Sequence, residues 1–485
     1  MKKSSKVLCA IAAIIILLTG CTTIKENNTI SDLSLPSPPH KTEDSVKRSI
    51  MPSLYFFDSS YTKLLVETRE LTVDENEHEA DLIIEALLSG PAGDSAKALG
   101  SGLSLDYIEI SGEIANAYLL ADRTYDEQRK FIISVAITNT ICDYFGVSYV
   151  SVFINGEALR INGYPCTVMQ KSDTLNVVDL YNEYVARYSS QFYIGNEEHD
   201  MTVILYFPDE TGTYILPEVR TIPVVFLEDI EECRKALCLK LIEELYKGPQ
   251  NKDNLKSCIT NYAVATRFLN TEYDEDTDKL SIVFSRSPFI PSENYAPNGF
   301  DPVMTASVYY TIAGALGGIK RMDLIYPGKT VSLSRALTKI YMGSVITLYF
   351  PDETGSYLFA VSRTVYFDSA HNPETYITEL MHGPLETDID ELKPAFSNDM
   401  HDSMFNSVEV KNGIAYVDLT EDFAKAAKKM TDDNERIMFY SMINTLCSIP
   451  RINSVQFTID GEFRGDIGGV MHIEYPLMPN HGLLR

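Results

Sequence analysis

Basic residues are scarce in this chain: 41 Lys and Arg stand against 68 Asp and Glu, for a formal net charge of −27. A surface that negative repels nucleic-acid phosphates and anionic headgroups, so nucleic acid is excluded as a partner. Long apolar stretches are wanting too, since the run Val7–Leu18 is too short to span a bilayer as a mature helix. The eight cysteines include no Cys-x-x-Cys and no Cys/His spacing suited to zinc. Eight histidines are scattered singly, with no His-Glu-x-x-His. There is no Gly-x-Ser-x-Gly nucleophile elbow and no phosphate-cradling loop. Gly314-x-x-Gly317-Gly318 sits late in a helical pattern, without a following Lys-Ser/Thr or a preceding strand. With no motif for a nucleophile, a metal or a cofactor, the chain reads as non-enzymatic.

What is present is a repeat. Tyr349-Phe350-Pro351-Asp352-Glu353-Thr354-Gly355-Ser356-Tyr357 has a near-copy in Tyr206-Phe207-Pro208-Asp209-Glu210-Thr211-Gly212-Thr213-Tyr214. A worn version begins at Tyr55-Phe56-Phe57-Asp58. At a fixed distance after each leading tyrosine stands an arginine: Arg69, Arg220 and Arg363. The spacing between copies is too long for a solenoid unit and right for a small domain.

The order of elements repeats with these markers. Ala80–Leu88 places Ala80, Ile83, Ile84 and Leu87 on one helical stripe, closed by Gly90-Pro91. Gly248-Pro249 and Gly383-Pro384 close two similar helices. Strand pairs are expected at Ile108–Ile110 with Ile114–Leu120, and at Ala263–Leu269 with Leu280–Phe284. A third lies at Val408–Val410 with Ile414–Leu419, across Lys411-Asn412-Gly413. Second helices follow over Arg129–Phe145, up to Gly317-Gly318, and over Glu435–Leu446. Each module therefore reads β-β-α-β-β-α-β. The fold class is α+β: three tandem two-layer domains, each a small mixed sheet covered by two helices on one side.

The expected divisions are a signal peptide at 1–20, a flexible stalk at 21–50, and modules at 51–170, 200–330 and 331–465. A connecting helix falls within 171–199 and a tail occupies 466–485. Val177, Tyr181, Tyr184 and Tyr188 share one face of the connecting helix, a packing stripe rather than a ligand site.

Lys2, Lys3 and Lys6 precede the Val7–Leu18 run in the manner of a signal peptide. The run ends in Leu18-Thr19-Gly20-Cys21, which resembles the bacterial lipoprotein box. That resemblance implies cleavage after Gly20 and a diacylglyceryl group on Cys21, and two acyl chains anchor stably where one does not. The expected location is the extracytoplasmic face of the bacterial cell membrane.

The Tyr-Phe-Pro-Asp-x-x-Gly-x-Tyr hairpin, its arginine, the helix ending in Gly-Pro and the late Asp460-Gly461 together resemble the GerM domain. Val417-Asp418-Leu419-Thr420 adds to the likeness. GerM domains occur in sporulation and germination lipoproteins of endospore-forming bacteria, and here three tandem copies are implied. Module one lacks the Pro-Asp-Glu-Thr-Gly tip, and Asp418 has no counterpart at Leu119-Leu120 or Val283-Phe284. The resemblance implies protein–protein stacking, with an envelope or sporulation protein as partner or with a second copy of the chain.

The remaining candidates have simple structural readings beside functional ones. The Asp209–Gly212 and Asp352–Gly355 tips suit a cation less well than a turn, in which Asp bonds the backbone and Gly takes positive φ. Asp274-x-Asp276-x-Asp278 opens like a calcium loop, but Lys279 stands where glycine is needed and Ser285 where glutamate is needed. Arg69, Arg220 and Arg363 either hold each hairpin to its own helix or dock a partner or the next module. Cys142 and Cys447 look like small buried hydrophobes, and no disulfide pairing can be read. A lipoprotein that senses a small molecule or cell-wall fragment between modules is the alternative function.

Overall fold

The structure is a computed structural model that describes residues 48–485. Excepted are 74–78, 94–95, 97–98, 163, 175, 188–197, 228, 252–253, 260–266, 287–300, 386–387, 389–391, 412, 450–451 and 468. The signal sequence, Cys21, most of the stalk and Tyr188 lie outside the described residues.

In the first module, strand β1 (Ser53–Phe57) pairs antiparallel with β2 (Leu64–Thr68). Helix α1 (Glu79–Leu88) follows and buries Ile83, Ile84 and Leu87, the stripe its spacing predicts. Strands β3 (Leu103–Ser111) and β4 (Ile114–Ala121) pair antiparallel. Helix α2 (Glu127–Phe145) crosses over to β5 (Tyr149–Ile154), which lies parallel to β4. Asp126 caps the start of α2 by accepting from the Arg129 amide at 2.7 Å, and Gly146 ends it at φ 70°. The connecting helix α3 (Val177–Arg187) seats Tyr181 and Tyr184 edge-on against Phe131 at 5.2 and 5.1 Å.

The second module repeats the order. Its hairpin is β6 (His199–Pro208) with β7 (Ile215–Val224), and helix α4 (Ile230–Lys247) follows. Then come β8 (Phe268–Asp274), β9 (Lys279–Phe284), α5 (Pro302–Leu316) and β10 (Arg321–Tyr326), with β10 parallel to β9. An added strand, β11 (Lys329–Ser334), closes the sheet against β10, so this sheet runs past the expected boundary at residue 330. The strand expected at Ala263–Leu269 starts instead at Phe268; residues 260–266 are not described. The register is set by the bend at Thr277 and Asp278, where Asp278 takes φ 48°.

The third module has β12 (Gly343–Pro351), β13 (Leu358–Tyr366), α6 (Pro373–His382), β14 (Phe405–Lys411) and β15 (Ile414–Leu419). A short helix α7 (Glu421–Ala427), absent from the sequence expectation, precedes α8 (Asp432–Leu446) and the parallel strand β16 (Ser454–Ile459).

The fold is α+β with small mixed sheets, and one feature departs from a single sheet per module. Each opening hairpin is a two-stranded ladder of its own, separate from the three- or four-stranded mixed sheet. The reason lies in the second helix. Helix α2 packs on both β1 and β5, and every residue from Phe131 to Cys142 is buried. A helix walled in on two sides needs apolar residues all round. The same holds for α5, buried without a break from Thr305 to Ile312.

Neighbouring segments finish the open edges. Met169 bridges Val150 of β5, and Leu477 bridges Val455 of β16. Tail residue Leu484 also bridges Leu358 at the start of β13, so the C-terminal segment is part of the third module's frame. Arg48–Ile50, expected within the stalk, pairs with Leu71–Val73. The modules touch one another. The Ser111 hydroxyl donates to the Gly343 carbonyl, and Ile215 bridges Met342.

Candidate functional site

Three polar devices recur in the modules, and each can be followed atom by atom. At the hairpin tips, Asp209 accepts from the amides of Thr213 and Tyr214 at 2.8 and 3.0 Å and from the Thr211 hydroxyl at 2.7 Å. Asp352 accepts from the Ser356 and Tyr357 amides at 2.8 and 3.2 Å and from the Thr354 hydroxyl. Asp58 does the same with the Thr62 and Lys63 amides at 2.6 and 3.0 Å and the Ser60 hydroxyl at 2.8 Å. Module one thus keeps the device without the full tip sequence. Its Tyr61 takes φ 57° where Gly212 and Gly355 take 74° and 68°. Desolvation opposes ionisation of Asp58, but these hydrogen bonds hold its carboxyl down to about 2.

The arginines form the second device. Arg220 donates to the Gly248 carbonyl at 3.0 Å, to Glu244 at 3.2 Å, and to Glu218. Arg363 donates to the Gly383 carbonyl at 3.0 Å, to the Glu379 carbonyl at 3.1 Å and to Asp388 at 3.3 Å. Arg69 reaches the Gly90 and Ala86 carbonyls at 2.8 and 3.0 Å and pairs with Glu67. Each guanidinium lies over the phenylalanine after the leading tyrosine, 5.7–5.8 Å from Phe56, Phe207 or Phe350. The Gly-Pro stop therefore frees a carbonyl at a helix end, where a cation is favoured, and the hairpin supplies that cation. All three side chains bind within their own module.

The third device shows in the sequence only as the matching pairs Asn139-Thr140 and Asn444-Thr445, which precede Cys142 and Cys447. The amide of each leading tyrosine donates to a threonine on the buried second helix: Tyr55 to Thr140 at 3.1 Å, Tyr206 to Thr311 at 2.9 Å, Tyr349 to Thr445 at 3.0 Å. The residue before two of those threonines is asparagine. Asn139 exchanges two hydrogen bonds with the Ser172 backbone, and Asn444 does so with the Asn480 backbone. In module two that place belongs to Tyr310, and here the copies diverge.

At this divergence the first and second modules enclose a cavity of about 550 Å³, within the range of small-molecule sites. One wall is a stack of rings across the first mixed sheet. Tyr107 lies 4.1 Å from Tyr118, and Tyr118 lies 4.7 Å from Phe153. The other wall carries Tyr206, Tyr309 and Tyr310. Asn116 donates to the Tyr206 hydroxyl at 3.0 Å across the junction. Arg335, just after β11, lies over Tyr107 and donates two bonds to Glu109 at 3.0 and 2.7 Å. Glu109 is 1% exposed. Burial pushes its carboxyl up, and the guanidinium opposes that shift. Burial likewise raises the phenols of Tyr118, Tyr206 and Tyr310, and brings Tyr309 to about 12, so the rings enter the cavity as neutral donors.

Two hydroxyls on the cavity wall, Tyr310 Oη and Thr167 Oγ1, have no hydrogen-bond partner. Burying such a group unpaired costs about 1–3 kcal/mol. Nothing in the sequence spacing signals this cavity, because its walls come from residues in both modules. Only the replacement of asparagine by Tyr310 before Thr311 could have marked it.

Elsewhere the candidates resolve into local structure. Asp274 accepts from the Asp276 amide and the Thr277 hydroxyl, and Lys320 pairs with Asp278 at 2.7 Å. No group of three or more metal-ligating side chains occurs among the described residues. Cys142, Cys233, Cys238, Cys258 and Cys447 are free thiols. Asp418 accepts from the Thr458 hydroxyl and the Gly461 amide, both at 2.7 Å, tying β15 to the turn after β16.

Residues 347–464 match the Germane family, described as sporulation and spore germination. That segment, within the third module, is GerM-like. Among solved structures, the chain is similar to the tandem GerMN domains of the sporulation protein GerM from Bacillus subtilis. The identity is 16%, the coverage 58% of this chain and 92% of that one, and the TM-score 0.22. It is also similar to a putative lipoprotein from Clostridium perfringens, at 24% identity over 28% of this chain and 87% of that one, TM-score 0.20. The first GerMN domain of GerM from Bacillus subtilis matches at 21% identity over 26% and 97%, TM-score 0.20. No curated protein matches the chain. The GerM-like match covers the third module. No helix among the described residues is long and apolar enough to cross a membrane.

Proposed function

We propose that this chain is a non-enzymatic lipoprotein scaffold, held at the outer face of the cell membrane through Cys21, that docks envelope proteins during spore formation or germination. One observation carries the reading. The tip aspartates, the arginines and the helix threonines recur in all three modules, and each is bonded within its own module. Repetition has copied a frame rather than a reaction centre, and a frame repeated in tandem multiplies surface. The Germane match over residues 347–464 supports a spore-related setting. The lipoprotein-box resemblance at Leu18–Cys21 supports the anchor.

Complementation tests this role. A strain lacking the chain is expected to lose heat-resistant or germinating spores, and a plasmid copy to restore them. Cys21→Ala, which removes the anchor, should restore them poorly although the protein accumulates. Normal spore yield and germination in the deletion strain would remove the proposal. The junction cavity favours a second, compatible reading in which a small molecule is held between modules one and two.

A further inference from the structure

We propose that the tail segment His481–Arg485 is a displaceable cap, and that the edge of β13 beneath it docks an extended strand from a partner protein. The strand it fits is the entry segment of another module of this kind, an apolar residue followed by glycine. This edge serves the docking role proposed above and rests on that reading.

The second and third modules show the same edge with two different occupants. Ile215 and Leu358 hold corresponding places: each follows the tyrosine that ends the hairpin tip, and each opens the return strand, β7 or β13. Both are buried. Both are met in parallel by a segment from further along the chain, Ile215 by Met342 and Leu358 by Leu484. The two incoming segments have the same build. Each is a 3-10 turn, Lys339–Tyr341 or His481–Leu483, and the residue that leaves the turn makes the bridge. At Ile215 the occupant is the entry to a module. Met342 leads into β12, is 1% exposed and joins the apolar core of module two. Gly343 comes next, and a Cβ there would stand 2.8 Å from Tyr214 Cβ and 3.2 Å from the Leu216 side chain. A docked strand therefore needs an apolar residue and then one without a side chain. At Leu358 the tail covers the same ground less fully. Leu484 is half-buried and outside the apolar core of module three. Phe359, the counterpart of Leu216, is half-buried where Leu216 is 5% exposed. Arg485 takes the place of Gly343. With no module closed over it, its side chain lies across the Tyr357 ring at 3.9 Å, and its amide donates to the Leu358 carbonyl at 3.1 Å. A surface cation over a ring and a short stretch of backbone pairing are weak holds, exchangeable for an incoming strand. In such strand addition the main chain supplies affinity and the apolar side chain supplies selectivity.

The test follows the fluorescence anisotropy of a labelled peptide spanning Lys339–Val345, titrated with the detergent-solubilised full chain and with a chain lacking residues 481–485. The shortened chain keeps the Leu477 bridge to Val455 and the exchange between Asn480 and Asn444, so the third module retains its frame. Saturable binding to the shortened chain is expected. A tethered segment competes at an effective concentration of about millimolar, so the full chain should bind at least about tenfold more weakly. Met342→Asp or Gly343→Val in the peptide should abolish binding, and a scrambled peptide of the same composition should not bind. Should the shortened chain fail to fold, Leu484→Asp with Arg485→Ala in the full chain loosens the cap and must show the same gain. The proposal is overturned by no binding to either uncapped chain, by equal binding to capped and uncapped chains, or by equal binding of the scrambled peptide. Self-association of the shortened chain that the peptide does not compete away would give the edge to a second copy, and also overturns it. Envelope proteins captured equally well with and without residues 481–485 would place docking elsewhere, overturning this edge while leaving the scaffold reading intact.

Discussion

Removing Arg220 offers the sharpest test of the frame. The side chain is 6% exposed, and its partners Glu218 and Glu244 are 13% and 5% exposed. Arg220→Ala deletes the bonds to both carboxylates and to the Gly248 carbonyl, and leaves buried charge without its counterion. Truncating one member of a buried ion pair costs about 3–5 kcal/mol, mostly because the other charge stays behind. Lys247 still reaches Glu244 at 2.6 Å from the surface, so the lower end of that range, about 3 kcal/mol, is expected. Lys247 and Arg220 together hold the Glu244 carboxyl below its usual range although desolvation pushes it up. Arg220→Met with Glu218→Gln and Glu244→Gln should recover part of the loss, because it removes the orphaned charges along with the cation.

The assay is denaturant unfolding followed on the full chain and fitted with more than one transition, since a three-module protein need not unfold in one step. The transition that includes the second module, which modules one and two share through the Glu109–Arg335 pair, should move, and that of the third module should not. A loss below about 1 kcal/mol would refute the reasoning, for that is the cost of an exposed pair. So would unchanged stability with loss of a captured partner, which would return Arg220 to a docking role.

Thr311→Val keeps the shape but leaves the Tyr206 amide unpaired, and should cost about 1–3 kcal/mol by thermal unfolding; Thr140→Val and Thr445→Val should behave alike. Burial works against the Asp58 carboxylate, but hydrogen bonds from Lys63, Ser60 and Thr62 hold it down to about 2 in the folded protein, below the ordinary carboxylate range. Its contribution is therefore complete above pH 4 or so, falls away as pH drops toward about 2, and should disappear from the acid-unfolding profile in Asp58→Asn. Arg335→Ala strands Glu109 at the junction and should separate the unfolding of modules one and two. Glu109→Gln with Arg335→Met should couple them again, and a proteolysis pattern identical to wild type in Arg335→Ala would contradict this.

Much of the frame was legible because it is local. Turn chemistry announces itself in Asp-Glu-Thr-Gly, and helix ends in Gly-Pro, since each is enforced by the φ of one or two residues. Helix stripes such as Ile83, Ile84 and Leu87 are visible because one face meets water. The separate hairpin ladder was not legible. A helix buried on both sides, as α2 is, has no polar face to show which side a sheet covers. The tail gave no periodicity because its role is a few bridges, Val455 to Leu477 and Leu358 to Leu484, rather than a regular element. The Glu109–Arg335 pair and the cavity join modules one and two, and no spacing rule reaches that far. The Asp58 turn is hard to read from sequence because its neighbours differ from those of the other tips, although the hydrogen bonds it makes are the same.

The modules of this chain are proposed to serve as docking surfaces. Affinity capture of the lipidated full chain from sporulating and vegetative cells, after brief crosslinking, tests this most directly. A discrete set of envelope proteins enriched from sporulating cells is the predicted result. Capture of the chain alone from both cell states would contradict it.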